Sequence, residues 1–387
     1  MPAPRLSTSD LVGPLLIFLG GFLLAASVAL PTLFVSTLRT IPLSTDVTTV
    51  APSTTAGAGA ASILDRCSLA SPTARVVEAE LTRQQRFVAV RPADSRRVTL
   101  QAGTSIRAES LTVDGHRVDP STARPGSEAA VPAGGTPCTD PTVTALRDRV
   151  TLNRSTALPD LSHGGSSEVQ YDSDSAPIRV PDRRGFTYVL PFNTSSTDQT
   201  FFDVTTRRSV PLKYTGDTTV HGHDAIRFVA EVPDTDLAAI GNGTATSTPP
   251  VTLTRPASWF GAPGVDPARK LTADLHHSSR WEISVDPDTG IIVNERITIL
   301  EQYRFVDTAL PDHRITNLSA TFAYDARTQR AQLRRADALG SPITVWGIVI
   351  PALAAVAGLA AVIAGLGFIY PDWRPWGRLP RLRRPRR

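Results

Sequence analysis

Two stretches without a single charged side chain constrain this chain more than any other feature. Leu11 to Val35 runs for 25 residues and Ile343 to Tyr370 for 28. At about 1.5 Å per residue, either is long enough as a helix to cross a hydrocarbon layer of roughly 30 Å. Backbone polar groups in lipid must be satisfied within the segment, so each stretch is expected to be a transmembrane helix. The chain then divides into a tail 1–10, a span 11–35, an outer segment 36–342, a second span 343–370 and a tail 371–387.

Charge fixes the expected orientation. The formal net charge of +4 is unevenly spread over the 387 residues. Residues 1–35 hold Arg5 and Asp10, and 36–342 hold 32 basic and 34 acidic residues. The last 17 residues hold seven Arg (Arg374, Arg378, Arg381, Arg383, Arg384, Arg386 and Arg387) against one Asp. A short basic tail beside a span belongs in the cytoplasm; two readings of it stay open, that it binds anionic lipid head groups there or that it only fixes topology. Two spans then place both termini in the cytoplasm and 36–342 outside the plasma membrane. Arg327, Arg330, Arg334 and Arg335 flank the other end of the second span, where Asp325 and Asp337 offset part of their charge. The folded part carries no basic surplus, so nucleic acid is not an expected partner.

Within the first span, Ser27-Val28-Ala29 has the small-x-small form of a signal-peptidase site. The apolar run continues to Val35 and only one Arg precedes it, so an uncleaved span is the expectation and cleavage the alternative. Gly21, Ala25 and Ala29, with Ala354 and Gly358 or Ala361 and Gly365, form small-residue ridges that would let the spans pack as a pair. Cys67 and Cys138 both fall in the outer segment, where two Cys on an oxidising side are expected to form one disulfide.

The outer segment reads as antiparallel β with a few helices, an α+β class, as one domain or as two (36–142 and 143–342). Ile41, Leu43 and Val47 alternate weakly. Short strands are expected around Val76-Val77, 87–90, 98–100 and 111–113, then at Phe186–Phe192, 201–204, 210–214 and 220–228 with Gly222 at a hairpin turn. The segment Asp286-Pro-Asp-Thr-Gly290 carries hairpin-turn chemistry between strands 281–285 and 291–300. Helices are expected at Asp234–Ile240, Pro267–His277 and Ala326–Leu339.

Catalytic patterns are missing from the sequence. There is no G-x-S-x-G elbow, S-x-x-K set, P-loop or dinucleotide fingerprint. His221-Gly-His223 and His276-His277 lack a third ligand at metal spacing. The expectation is no enzyme, no metal and no cofactor.

Several stretches carry a resemblance to a known family: Gly13-Pro-Leu-Leu16, Pro42-Leu with Thr48-Thr49, Phe186-Thr-Tyr-Val-Leu-Pro-Phe192, Val210-Pro-Leu-Lys-Tyr-Thr-Gly216, Val220-His-Gly222 with Arg227-Phe228, and Val285-Asp-Pro-Asp-Thr-Gly290. In this order they resemble an actinobacterial family of two-span membrane proteins often labelled as PorA-type porins. The resemblance covers nearly the whole chain and implies no catalytic residues. The hairpins at 214–228 and 281–290 are also similar to those of periplasmic lipoprotein-carrier half-barrels, and the layout looks like that of the CD36 class of lipid-conducting receptors.

The leading expectation is a membrane-anchored envelope protein that binds or passes hydrophobic ligands such as lipids. A curved sheet would shield them, lined by Phe186, Tyr188, Phe201, Phe202, Phe228, Trp259, Phe260, Trp281 and Tyr303. The alternatives are a structural or scaffolding protein that binds envelope proteins or wall polymer, and an oligomeric pore. One chain offers two spans without a charge to line a water path, so a pore needs several copies.

Overall fold

A computed structural model describes residues 8–55, 59–121, 140–162, 164–172, 175–244, 247–306, 310 and 312–370. Its helices are α1 (Thr8–Leu38), α2 (Ala257–Phe260), α3 (Ala326–Thr344) and α4 (Ile350–Ile369), with a π-helical turn at Val345–Val349. Its strands are β1 (Asp46–Pro52), β2 (Ser62–Leu64), β3 (Val76–Ala93), β4 (Arg97–Val113), β5 (His116–Val118), β6 (Thr142–Asn153), β7 (Ser167–Gln170) and β8 (Ile178–Arg179). They continue with β9 (Gln199–Asp203), β10 (Arg208–Val220), β11 (His223–Asp236), β12 (Thr252–Pro256), β13 (Lys270–Val285), β14 (Ile292–Phe305) and β15 (Arg314–Ala323). The chain forms two compact units, Met1–Arg39 with Ala338–Arg387, and Thr40–Asp337.

In the first unit α1 and α4 pack antiparallel. Leu11–Leu38 and the helix that ends at Ile369 are each long and apolar enough to cross a membrane. The contact is built on glycine. A Cβ on Gly20 would lie 2.6 Å from the carbonyl oxygen of Gly358, and one on Gly365 would lie 2.8 Å from that of Gly13. These two glycine pairs, each seven residues apart, keep one seam facing the partner helix. Gly358 and Gly365 were legible in the sequence as seam residues. Gly21, Ala25 and Ala29 were not correctly placed: they are exposed, and nothing lies near Gly21. The four-residue ridge they form turns away from the seam. Phe34 and Trp346 stack with centroids 5.5 Å apart.

The second unit is one 15-stranded sheet in the order β8-β7-β6-β4-β3-β2-β15-β14-β13-β11-β10-β9, with β1 on β3, β5 on β4 and β12 on β13. Every ladder is antiparallel. Burial alternates along the long strands; in β3 it reads exposed, buried, exposed, buried from Val76 to Phe87. One face is therefore core and the other meets solvent. In a flat sheet β6 and β13 would lie six strand spacings apart, about 28 Å. Yet Thr144 and Leu146 of β6 border the same small space as His277 and Trp281 of β13. The sheet must curl on itself. Its two edges meet through side chains: Val169 of β7 clusters with Val180 and Phe202 of β9, and the Tyr171 hydroxyl donates to Val204 O at 2.9 Å.

Some sequence expectations change here. The stretch Phe186–Phe192 is not a ladder strand. Phe186 makes a single bridge to Phe201, and Tyr188, Val189 and Leu190 join the core cluster of the sheet, with Tyr188 stacked on Phe87 at 5.3 Å. It acts as a strap inside the curl. Pro267–His277 is not a helix. From Lys270 it is β13, with Leu271, Ala273, Leu275 and His277 all buried at alternate positions. Asp234–Ile240 is the end of β11 followed by turns. The separate short strands expected over 76–113 are two long ones, β3 and β4. The hairpins hold: Gly290 and the His221-Gly222 pair take positive φ at their turns. α3 begins at Ala326, where Asp325 Oδ1 accepts from Thr328 N at 2.7 Å.

Candidate functional site

The inner face of the sheet is not uniformly apolar. Three ionisable pairs are buried there, and the partners in each neutralise one another. Arg83 of β3 donates to Glu295 of β14 at 3.0 Å, with both side chains about 5% exposed or less. Asp148 of β6 accepts from Arg183 at 2.7 Å and from the Tyr188 hydroxyl at 2.6 Å. His277 Nδ1 lies 3.0 Å from Glu301 Oε1, directly across the β13–β14 ladder, and Asn317 of β15 donates to Glu301 Oε2 at 2.7 Å. A buried charge without such partners would be strongly destabilising.

Burial and pairing compete at these groups. Burial pushes His277 down, but the hydrogen bond and charge of Glu301, with Asp203 and Asp234, outweigh it and hold the imidazole above its ordinary value. Burial keeps the Glu295 carboxyl above the usual carboxylate range although Arg83 pulls it down. Burial and the neighbouring Asp148 raise the Tyr188 hydroxyl.

Arg83, His277 and Glu301 border a chamber of about 50 Å³. Arg83, Gln85, Thr104, Thr144, Asp203, His277 and Glu301 contribute its polar wall, and Ile106, Leu146, Phe201, Phe202, Trp281 and Ile299 its apolar wall. Arg83 also lies over the Trp281 ring, 5.3 Å from the centroid.

Of the nine aromatic residues expected to line one ligand surface, Phe201, Phe202 and Trp281 border this chamber. Phe186, Tyr188 and Phe228 belong to the main core. Trp259, Phe260 and Tyr303 form part of a second cluster, in which Trp259 Nε1 donates to Ser68 O at 2.8 Å and the Tyr303 hydroxyl to Pro250 O at 2.6 Å. The structure thus distributes the nine over three places. Cys67 is buried in the 3-10 turn Arg66–Ala70. Cys138 and the seven Arg of the tail lie outside the described residues. Sequence reasoning missed Arg83, Asp148, Arg183, Glu295 and Glu301, and weighed His277 only as a metal ligand on an expected helix. A signal existed: each strand member sits where the alternation of its strand requires an inward side chain.

The porin PorA family model matches residues 12–367, which takes in both long apolar helices and the entire sheet. The chain belongs to the porin PorA family. Porin PorA of Corynebacterium amycolatum is 23% identical over 411 aligned residues, which cover 92% of this chain and 97% of that protein. Porin PorA of Corynebacterium resistens is 24% identical, covering 92% of this chain and 95% of its own length. A solved beta-barrel-like protein with a domain of unknown function from Brucella abortus aligns with 74% of the chain at 11% identity, and its TM-score of 0.14 carries no argument. PorA membership and two membrane-length helices make this a membrane protein of the cell envelope.

Proposed function

We propose that the protein is a two-span plasma-membrane protein, with both termini cytoplasmic, whose β unit outside the membrane is a non-catalytic scaffold for other envelope components. The observation that supports this reading is how small the spaces are that the described residues leave inside the curled sheet. Ligand sites for drug-sized molecules usually occupy about 300–1,000 Å³. The chamber offers about 50 Å³, and two smaller spaces offer about 20 and 30 Å³. Phe186, Tyr188, Val189 and Leu190 of the strap pack into the main core of the sheet.

A second reading, binding of hydrophobic ligands such as lipids, is favoured by the rings of Phe201, Phe202 and Trp281 on the chamber wall. It requires more room than these three spaces offer. The pore reading, which the names of the relatives suggest, gains little from the helix pair: the glycine seam brings the two backbones into close contact. A pore would have to form between copies.

Native mass spectrometry of the full chain released from nanodiscs separates these readings. The scaffold reading expects no lipid to remain bound at one per chain after gentle delipidation, and no conductance in planar bilayers at high protein load. A lipid retained stoichiometrically would replace it with the ligand reading, and reproducible single-channel steps would replace it with the pore.

A further inference from the structure

α1 ends at Leu38, and Ile41 is already held by the β unit. Ile41 N donates to Arg154 O at 2.8 Å, and Arg154 Nε donates to Ile41 O at 2.8 Å. Three residues reach at most about 11 Å, little more than the roughly 5–8 Å of head groups on each side of a bilayer. The covalent link alone thus confines this part of the β unit to the neighbourhood of a membrane surface. α3 carries the other link. Thr328 Oγ1 donates to Val50 O at 3.0 Å, and Arg335 lies over the ring of Phe87, the ladder partner of Val47. α3 therefore runs along β1 toward its first residue, and the second apolar stretch begins at Ile343, six residues after Asp337. Both links leave the β unit at one end.

Arg154 ties that end together. Its guanidinium also donates to Thr40 Oγ1 at 3.2 Å and to Ser95 O at 3.0 Å, so it joins 40–46 and the β3–β4 turn 91–97 to its own loop, 153–162. Charge here differs from that of the outer segment as a whole. Asp46 pairs with Arg86 and Asp94 with Arg97. That leaves Asp160 against Arg91, Arg96, Arg149 and Arg154, none of which has an ion-pair partner among the described residues. Four positive charges against one give +3, where 36–342 as a whole carries −2. Arg91 and Arg96 are exposed. On the same loops Leu43 is 47% exposed and Leu158 41%. A soluble anion would satisfy the arginines and leave the leucines in water; an anionic lipid surface takes both.

We propose that this end of the β unit docks on the anionic head groups of the membrane that the chain's own spans cross, with Arg91 and Arg96 meeting lipid phosphate and Leu43 and Leu158 entering the head-group layer. The inference rests on the two spans. It is independent of the scaffold reading and of the side on which the β unit lies.

The test is amide hydrogen exchange, read by mass spectrometry, on the full chain in nanodiscs of phosphatidylcholine with and without phosphatidylglycerol. Co-elution of protein with lipid checks the spans separately, before exchange begins. The expected result is slower exchange at 91–97 and 153–162 in the anionic discs. Strand directions alternate from β3 to β13, so the loop 261–269 before β13 lies at the opposite end and should exchange equally in both. The slowing should vanish in about 1 M salt, where charges are screened within roughly 3 Å. It should also vanish in Arg91→Gln with Arg96→Gln, which removes two charges worth about fivefold each near such a surface, or about 25-fold in docking. Neither side chain holds the fold through a hydrogen bond or ion pair among the described residues, and unchanged exchange at 261–269 would report an intact variant. Equal exchange at 91–97 and 153–162 in the two discs, or slowing that the double variant keeps, would overturn the proposal. Slowing produced only by soluble polyphosphate added to phosphatidylcholine discs would overturn it in favour of a soluble polyanion.

Discussion

Arg83 and Glu295 show how a single buried pair shapes this interior. Their mutual attraction offsets part of a desolvation cost that neither could sustain alone. Arg83→Met should lower unfolding stability by about 3–5 kcal/mol at neutral pH, because a carboxylate then remains buried and unpaired. Arg83→Met with Glu295→Leu should recover most of that loss, as read by denaturant unfolding in detergent. The loss should also shrink in acid: the Glu295 carboxyl already sits above its ordinary value, and protonation removes the unpaired charge. His277 gives the opposite kind of signature. Its folded value is raised above that of the unfolded chain, so its contribution is fully present below about pH 6.5 and is lost as pH rises through the folded value. Thermal midpoints recorded from pH 6 to 9 should therefore fall more steeply in the wild type than in His277→Gln. Equal slopes would remove His277 from the account. These residues were hard to read in the sequence for the reason that they matter. Arg83 and Gln85 interrupt the apolar alternation of β3, and His277 and Ser279 that of β13, so a long strand reads as fragments or as a helix.

At the scale of elements, local chemistry was legible where it depends on few residues. The turn at Asp286–Gly290 follows from Pro287 and a terminal glycine: Asp286 Oδ1 accepts from Thr289 N and Oγ1 at 2.9 and 2.6 Å, and Gly290 takes φ +71°. What the sequence could not show is that this turn also seats the strap. Leu190 N donates to Gly290 O at 2.9 Å, and a Cβ on Gly290 would lie 2.1 Å from Leu190 O. Gly290→Ala should therefore destabilise the fold by more than the ~1 kcal/mol of ordinary backbone strain, and it should loosen Phe186–Leu190, visible as faster amide exchange there. Protection equal to wild type would show that the strap is held elsewhere. In the helix pair, Gly20→Leu places a side chain where Gly358 O and Val362 already sit. A short bifunctional thiol reagent should bridge Phe34→Cys to Trp346→Cys, whose parent rings stack. That yield should fall severalfold when Gly20→Leu is added.

At the scale of the whole molecule, the uncharged stretches and the antiparallel β character were readable because they rest on composition and period. The curl was not, because it depends on which inward residues meet across many strands. One long-range contact bears on the compartment. Arg66, beside Cys67, donates to Val143 O at 2.7 Å and shares a small space with Asp140, two residues after Cys138. The chain next to one cysteine is thus brought to the chain next to the other. If the β unit lies outside the cytoplasm, a Cys67–Cys138 bridge is expected, closing a loop of about 70 residues and contributing on the order of 4 kcal/mol in the chain-entropy account. Cys67→Ser, Cys138→Ser and the double variant should then lower stability by the same amount, since each removes one shared bond. Unequal, additive losses would mean two independent thiols. Protein alkylated in intact membranes should gain no maleimide mass until it is reduced, while Asp288→Cys, in the β13–β14 turn, should react at once with a membrane-impermeant maleimide from outside the cell. Labelling of Asp288→Cys only after the membrane is opened would reverse the topology and, with it, the oxidising surroundings on which the bridge depends.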